Sequence, residues 1–544
     1  MQAQKLQLDI KSERPLEVEK IDSIGYRKTH SDFASIQKEI DSFSRRLERL
    51  GYFDHKLNSL KKEKDTIYIA DFELNQPVRL IRISDKNGLL TPEILKKMNL
   101  ELDNGSLLIE TRQLEDFLKS LNRHIANQGQ PFSFLQLRNY SKVDDQTVEA
   151  ELFSNETVKR TIDKIVIKGY DKFPKVYLKR HLKLRTGQTF SLNTIERKTQ
   201  RLKNLRFAKE LRSPEVLFTP DSTTLYIYVE KVKQNVFDGF LGFGTNEDSN
   251  KLQFDGYLNL ALQNNLNYGE TFELYYKSDE NEQQTFDVNL SMPYLFGSPL
   301  GASVNLNIFK RDSTFLTVQQ SAHLNYQISP KLQIGAGINS TTSSNLLDND
   351  LSGIEDFDAI LFTGTLNFRD VDVEQPLFPI SQSLSLLVGV GARNTDNGDD
   401  DQLRLGFQGS KIFYLDNRNS IFTRVTSQYL DSERYLENEL PRFGGINSIR
   451  GFEENTLIAN IFGVLNTEYR YQASSSLYVH SVIDAAYFEN QLADQKSKLF
   501  GFGFGFGLLT NAGLLKLTYA TAKTEGQKLM INDSKVHLSL TARF

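Results

Sequence analysis

Cysteine and tryptophan are both absent from the 544 residues. Without cysteine there are no disulfides, no thiolate-ligated zinc and no thiol catalysis. That suits an envelope protein that must avoid mispairing, a property many cytosolic chains share. No stretch approaches the roughly 18 consecutive apolar residues of a membrane-spanning helix, which excludes a helical membrane protein. A barrel stays open, because alternating strands give only a weak hydropathy signal. The seven histidines, His30, His55, His124, His181, His323, His480 and His537, include no HExxH and no close pair, so no metal site is expected. GxSxG, a Walker loop and a dinucleotide fingerprint in its proper context are missing too, and neither an enzyme nor a cofactor is expected. A net charge of -4 gives no reason to expect nucleic acid. The opening "MQAQKLQLDIKSE" shows no basic segment followed by an apolar core, hence no visible signal peptide. Either the protein stays in the cytosol or the chain is a processed form, and the C-terminal half favours the second.

The chain is long enough for roughly two to four domains. Residues 1 to about 233 repeat a unit of strand, helix, helix, strand, strand, about 75 residues long. In the first copy Leu6, Leu8 and Ile10 alternate, and Phe33, Ile36, Ile40, Phe43, Leu47 and Leu50 recur at steps of three and four before Gly51. That spacing predicts a helix with one core-facing stripe. The second copy has "PVRLIRI", a short helix around Ile94 to Met98 and a longer one through Leu114, Phe117, Leu118, Leu121 and Ile125, ending at Gly129. The third runs from "IVIKGYDKF" to "LYIYVEK".

From Gln234 onward the helical period vanishes and Gly, Tyr, Phe, Asn and Ser rise. The stretch "KLFGFGFGFGLLT", residues 498–510, alternates Phe500, Phe502, Phe504 and Phe506 with Gly501, Gly503, Gly505 and Gly507. A helix is excluded, because each glycine costs roughly 1 kcal/mol there relative to alanine and period two scatters the rings. In a strand the rings share one face and the other face is bare. A membrane barrel puts the rings in lipid and leaves lumen space beside the glycines; close strand packing or curvature is the competing reading of the bare face. Sixteen such strands are expected, from 237–247 to 535–544, an even number as an antiparallel membrane barrel requires. With no Trp, Tyr and Phe must supply the interfacial girdles. The last strand, "KVHLSLTARF", sets Val536, Leu538, Leu540, Ala542 and Phe544 against His537, Ser539, Thr541 and Arg543.

The third repeat, with "IVIKGYDKF", "LKLRTGQTFS" and "LYIYVEK", resembles the POTRA modules of the BamA and TamA superfamily of outer-membrane insertases and translocases. The terminal aromatic of the last strand is similar to the assembly signal of outer-membrane barrels. After the eleventh strand comes "DSERYLENELPRFGGINSIRGFEENTL", in which Ile449, Arg450, Gly451 and Phe452, preceded by Gly444 and Gly445, match the superfamily's [VI]RG[FY] loop motif. The resemblance implies that this loop folds back into the lumen and that its Arg meets an acid two strands further on. The matching segment "HSVIDAAYF" makes Asp484 that partner, with Ile483, Ala485 and Tyr487 facing lipid, and Glu468 in "NTEYRY" is a second candidate. Val482 stands where the family often has an aromatic, so cation–π support from that position is lost. The competing reading leaves Asp484 and Glu468 as ordinary lumen residues and Arg450 in solvent.

The resemblance implies tandem α+β POTRA modules followed by a 16-stranded antiparallel transmembrane β-barrel, with modules at 1–77, 78–158 and 159–233 and the barrel at 234–544. The layout is similar to that of TamA. The barrel would lie in the bacterial outer membrane, in contact with its lipid, and the modules in the periplasm. Expected partners are unfolded outer-membrane or surface client proteins and, as a further candidate, a periplasm-spanning or lipoprotein partner. Clients would be inserted or exported by strand addition at module edges and at a lateral seam between the last strand, ending at Phe544, and a first strand weakened by Gly239, Gly242 and Gly244. A dedicated two-partner secretion translocator and a passive channel or receptor are the alternatives.

Overall fold

The computed structural model describes residues 5–155, 157–245, 252–278, 283–347, 353–372, 375, 377–510, 513–527 and 534–543. The first sheet holds Leu6–Lys11, Thr29–His30, Lys56–Lys64 and Ile67–Glu73, with Leu6–Lys11 and Ile67–Glu73 running parallel at its centre. Across it lies the helix Phe33–Arg49, started by Asp32, whose carboxylate accepts the Ser35 N–H at 2.7 Å. Ile36, Ile40, Phe43 and Leu47 are buried with Leu8, Ile10, Ala70 and Phe72. Phe33, expected on that stripe, is instead 41% exposed; it sits in the first turn and meets the Tyr68 ring, 5.2 Å away. Gly51 ends the helix at φ +93°, where a side chain would collide with the Val78 carbonyl.

The second sheet centres on Leu80–Ser84, flanked by Ser106–Glu110 and Thr147–Ser154, with Leu135–Lys142 and Leu102–Asp103 at its edges. The hairpin from Leu102 to Glu110 is absent from the repeat pattern read in the sequence. Its turn is Asn104–Gly105, both at positive φ, the combination that a two-residue hairpin favours. In the third sheet Lys164–Lys168 runs parallel to Thr223–Lys231, which pairs antiparallel with Ala208–Phe218. The helices Val176–Arg180 and Leu192–Thr199 accompany it.

From Val236 the chain forms a closed barrel of sixteen strands in sequence order, each antiparallel to the next. These are β1 (Val236–Thr245), β2 (Leu252–Gln263), β3 (Thr271–Ser278), β4 (Gln284–Met292), β5 (Leu300–Arg311) and β6 (Phe315–Ser329). They continue as β7 (Leu332–Asn345), β8 (Phe357–Val371), β9 (Ile380–Thr395), β10 (Gly398–Tyr414) and β11 (Asn419–Ser432). The barrel finishes with β12 (Ile461–Gln472), β13 (Leu477–Asn490), β14 (Gln495–Thr510), β15 (Gly513–Thr524) and β16 (Lys535–Arg543). Alternation sets the faces: on β13 Ile483 and Tyr487 are exposed while Asp484 and Ala486 are buried. Exposed Tyr326, Phe413, Tyr414 and Tyr471 gather at the module-side ends of β6, β10 and β12, supplying the girdle that Trp would otherwise form.

The third module docks on that end through aromatic rings. Tyr177 sits edge-on to Tyr294 at 4.9 Å and occupies the space left by Gly269, whose φ is +82°. Asn264 donates to the Tyr170 hydroxyl at 2.8 Å, and Asn204 donates to the Val371 carbonyl at 2.8 Å. Beside Tyr177 lies His181, its Nε2 3.0 Å from the Arg201 carbonyl. Burial pushes the His181 imidazole down to about 4, the Arg201 carbonyl offsetting only part of the effect. The unfolded chain therefore takes up this proton near pH 6.5, long before the folded chain does, and stability falls as pH drops from about 6.5 to 4. The full loss is about 3 kcal/mol. Hydrogen exchange of the third module in the full-length protein, corrected for intrinsic pH dependence, should accelerate across that window. His181→Gln should flatten the response; an unchanged pH profile in the variant would place the sensitivity elsewhere.

Candidate functional site: the lumen loop and the barrel seam

Strand β11 runs away from the third module, so the connection 433–460 leaves the barrel at the far rim, and it turns back inside. Its first half is held on the β5–β10 wall. Glu439 accepts from Arg393 at 2.5 Å and from Gln402 at 2.8 Å, and Arg393, fully buried, also pairs with Asp400. Glu437 pairs with Arg311, Asn438 donates to Ser343 at 2.9 Å, and Leu436 packs on Phe357 and Ala359. None of these residues was singled out in the sequence; acids two apart in a loop carry no recognisable pattern.

The chain then forms a short ladder, Arg442–Phe443 against Leu457–Ile458, enclosing the motif. Gly444 and Gly445 both have positive φ, and a side chain on either would strike the backbone of Glu453 or Glu454. Ile449 is fully buried among Phe443, Phe462, Val464, Ala486, Phe488 and Leu499, with Phe452 at the margin. Gly451, at φ +93°, lies so close to β15 that a Cβ would come within 2.6 Å of the Thr521 backbone.

Arg450 is the polar centre of this seat. Its Nε donates to Asp484 Oδ2 at 2.8 Å, Nη2 to Asp484 Oδ1 at 2.6 Å, and its backbone N–H to Oδ2 at 3.0 Å. Nη1 donates to Glu468 Oε1 at 2.5 Å, so both acids expected as partners are engaged at once. The other Glu468 oxygen accepts from Arg470 at 2.7 Å, and the Arg470 guanidinium stacks over Phe422 at 4.0 Å. The cation–π contact missing at Val482 is thus made by a different arginine. Asn466 donates to the Ser448 carbonyl at 2.7 Å and accepts from Arg424 at 2.9 Å. Arg470, Asn466 and Arg424 escaped the sequence reading, although all three sit on lumen-facing positions of β12 and β11.

The phenylalanine–glycine strand is β14, and its register places Gly501 opposite Asp484. A side chain at Gly501 would run into the Arg450 carbonyl, so this glycine does clear room for the loop. The other three serve the competing reading. Gly503 receives the β15 backbone, Gly505 the His480 ring and Gly507 the Tyr478 ring. Phe502 and Phe504 face outward, 39% and 64% exposed.

At the seam, β1 and β16 pair at only two positions among the described residues, Val236↔Arg543 and Phe237↔Ala542. Gly239 lies against the Tyr257 and Leu258 backbone of β2, and Gly242 and Gly244 face Asp255 and Gln253. Phe544 lies outside the described residues.

Removing one partner of a buried pair costs about 3–5 kcal/mol, and lumen water lowers that figure. Arg450→Ala should leave the barrel assembled, read by heat-modifiable gel mobility, while residues 445–456 become open to added protease. Arg450→Lys, a point charge that cannot engage both acids in fork geometry, should be intermediate. Full protection in Arg450→Ala would show that the loop is held without this cluster.

The Omp85 superfamily domain matches residues 258–544, and the POTRA family, described as a surface antigen variable number repeat, matches residues 160–232. No curated protein sequence matches. Among solved structures, CdiB from Escherichia coli superposes with a TM-score of 0.54 at 14% identity, over 94% of this chain and 97% of its own. CdiB from Acinetobacter baumannii gives 0.52 at 14% identity, over 94% and 98%. BamA from Haemophilus ducreyi lacking POTRA domains 1-3 gives 0.51 at 14% identity, over 85% and 99%. These likenesses concern the fold. An Omp85 barrel carrying POTRA modules is an outer-membrane barrel with its modules in the periplasm. With more than half of its residues matched by the superfamily domain, the chain belongs to the Omp85 superfamily of outer-membrane insertases and translocases.

Proposed function

We propose that this protein inserts client proteins into the outer membrane by opening the β1–β16 seam, without nucleotide or cofactor. The observation that carries the reading is the seam itself: two paired positions among the described residues, against a continuous ladder from Gln382↔Lys411 to Thr395↔Gly398 on the β9–β10 side. A barrel edge freed at so short a ladder presents unpaired backbone groups that an incoming strand satisfies. Three POTRA modules, 1–77, 78–158 and 159–233, would deliver unfolded clients, and a periplasm-spanning or lipoprotein partner would hand them over. Of the module edges longer than two residues, Lys56–Lys64, Leu135–Lys142 and Ala208–Phe218 carry register breaks, which discourage pairing, whereas Lys164–Lys168 is regular. Lys164–Lys168 is the edge we assign to client strands. The seated loop argues against a passive channel.

One observation favours a second reading, export through the lumen by a secretion translocator. A polar cavity of about 360 Å³ opens inside the barrel, lined among others by Arg206, Glu273, Asn289, His323, Asn325 and Asn367. Because the chain has no native cysteine, the double variant Phe237→Cys/Ala542→Cys separates the two readings. Its residues are ladder partners, within the roughly 7 Å between Cα atoms that a disulfide tolerates. Oxidation should abolish client insertion into vesicles and reductant should restore it. Full insertion by the crosslinked barrel would overturn lateral opening, and export retained under crosslinking would support the lumen route.

A further inference from the structure

Directly after the arginine motif come two acids, Glu453 and Glu454, with which the seated loop reaches both sides of the seam. Glu454 Oε2 receives the Lys277 ammonium of β3 at 2.6 Å. Glu453 Oε1 receives the Lys535 ammonium of β16 at 2.9 Å. Counting round the barrel, β16 borders the seam on one side, and β3 lies two strands in on the other. We propose that Glu453 and Glu454 are a latch that holds the seam shut from inside, and that releasing it is a step in opening; this rests on the lateral-opening reading above.

Three features make the pair a latch rather than two loose surface contacts. The backbone beneath it is closely packed, because Gly444 and Gly445 approach Glu453 and Glu454 so nearly that a Cβ on either would meet them. The loop tip is pinned two residues earlier, where Gly451 meets β15 and Arg450 meets Asp484. Neither acid can therefore follow a moving strand, and parting β16 from β1–β3 must break at least one pair. Among the described residues the seam ladder has two positions, so two ion pairs add substantially to what spans it. The two halves are unequal. Lys277 and Glu454 are each 28% exposed, whereas Lys535 and Glu453 are 41% and 56% exposed, so the β3 side carries more of the hold. Tyr257, whose hydroxyl donates to Asp238 of β1 at 2.8 Å, continues the polar contact up to the seam strand itself.

The test uses the full-length protein in phospholipid vesicles, with hydrogen exchange read in peptides covering 236–245 and 535–543 and, as control, in β9 and β10. Glu453→Gln/Glu454→Gln should raise exchange at the seam roughly five- to tenfold and leave the control unchanged. Salt near 1 M should raise it in the native protein and add nothing in the variant. Reversing the stronger pair, Glu454→Lys with Lys277→Glu, should return exchange to the native rate, whereas Lys277→Glu alone should not. Native exchange in the double Gln variant, or a reversed pair that fails to restore it, would overturn the latch. Client insertion measured in the same vesicles separates the two ideas: faster seam exchange with unaltered insertion would keep the latch and discard lateral opening as the route of insertion.

Discussion

A guanidinium taken out of bulk water must be met on every donor side, and that requirement organises the inside of this barrel. Arg450 is 4% exposed and reaches two carboxylates on two strands, one of them shared with a second arginine. A lone acid would leave part of the fork unsatisfied, and an acid without arginine would itself be stranded in a low-dielectric lumen. Once Arg450 is placed, the residues around it have little freedom. Gly501 must lack a side chain, Gly451 must hug β15, and Ile449 must enter the apolar cluster beside Phe443 and Phe488. The four letters of the motif are four different physical demands made at one point.

Much of this was legible in the sequence because the demands are local and periodic. Alternation of period two revealed the barrel strands, and parity on one strand agreed with Asp484 in the lumen and Ile483 and Tyr487 outside. The pairing of Arg450 with an acid two strands on came from the resemblance of the loop motif to the superfamily's, not from spacing alone. What escaped notice shares a different character. The Glu437–Arg311 and Glu439–Arg393 contacts join a loop to strands more than forty residues distant, and nothing in the spacing of single charges announces such a meeting. The extra hairpin at Asn104–Gly105 was missed for another reason, since a two-residue strand has too few side chains to show a period. Phe33 was placed on a core stripe because period alone cannot tell where a helix first meets its sheet. The glycine face of β14 was half understood: one glycine makes room for the loop, and three make room for neighbouring strands.

The connection between β11 and β12 spans the lumen as a strut. One end is fixed by Glu437 and Glu439 to the β5–β10 wall, the middle by Arg450 to β12 and β13, and the tip by Glu453 and Glu454 to β16 and β3. Such a member transmits displacement, because packed and ion-paired contacts have discrete arrangements rather than continuous give. The short seam ladder is therefore supported from within by a segment that belongs to neither of its strands.

The strut also has a place in time. Its first half grips strands β5 to β10, all made before it along the chain, whereas Asp484, Gly501, Thr521 and Lys535 lie on β13, β14, β15 and β16, all made after it. Those later partners are in reach only once the last strands have found their ladders, and each contact carries its own closure entropy. The complete seat of the loop thus requires the C-terminal strands to be in place. A barrel that stalls short of β13 to β16 carries its loop half-bound, with a charged tip unable to leave water: the molecule has an internal record of whether it has finished assembling.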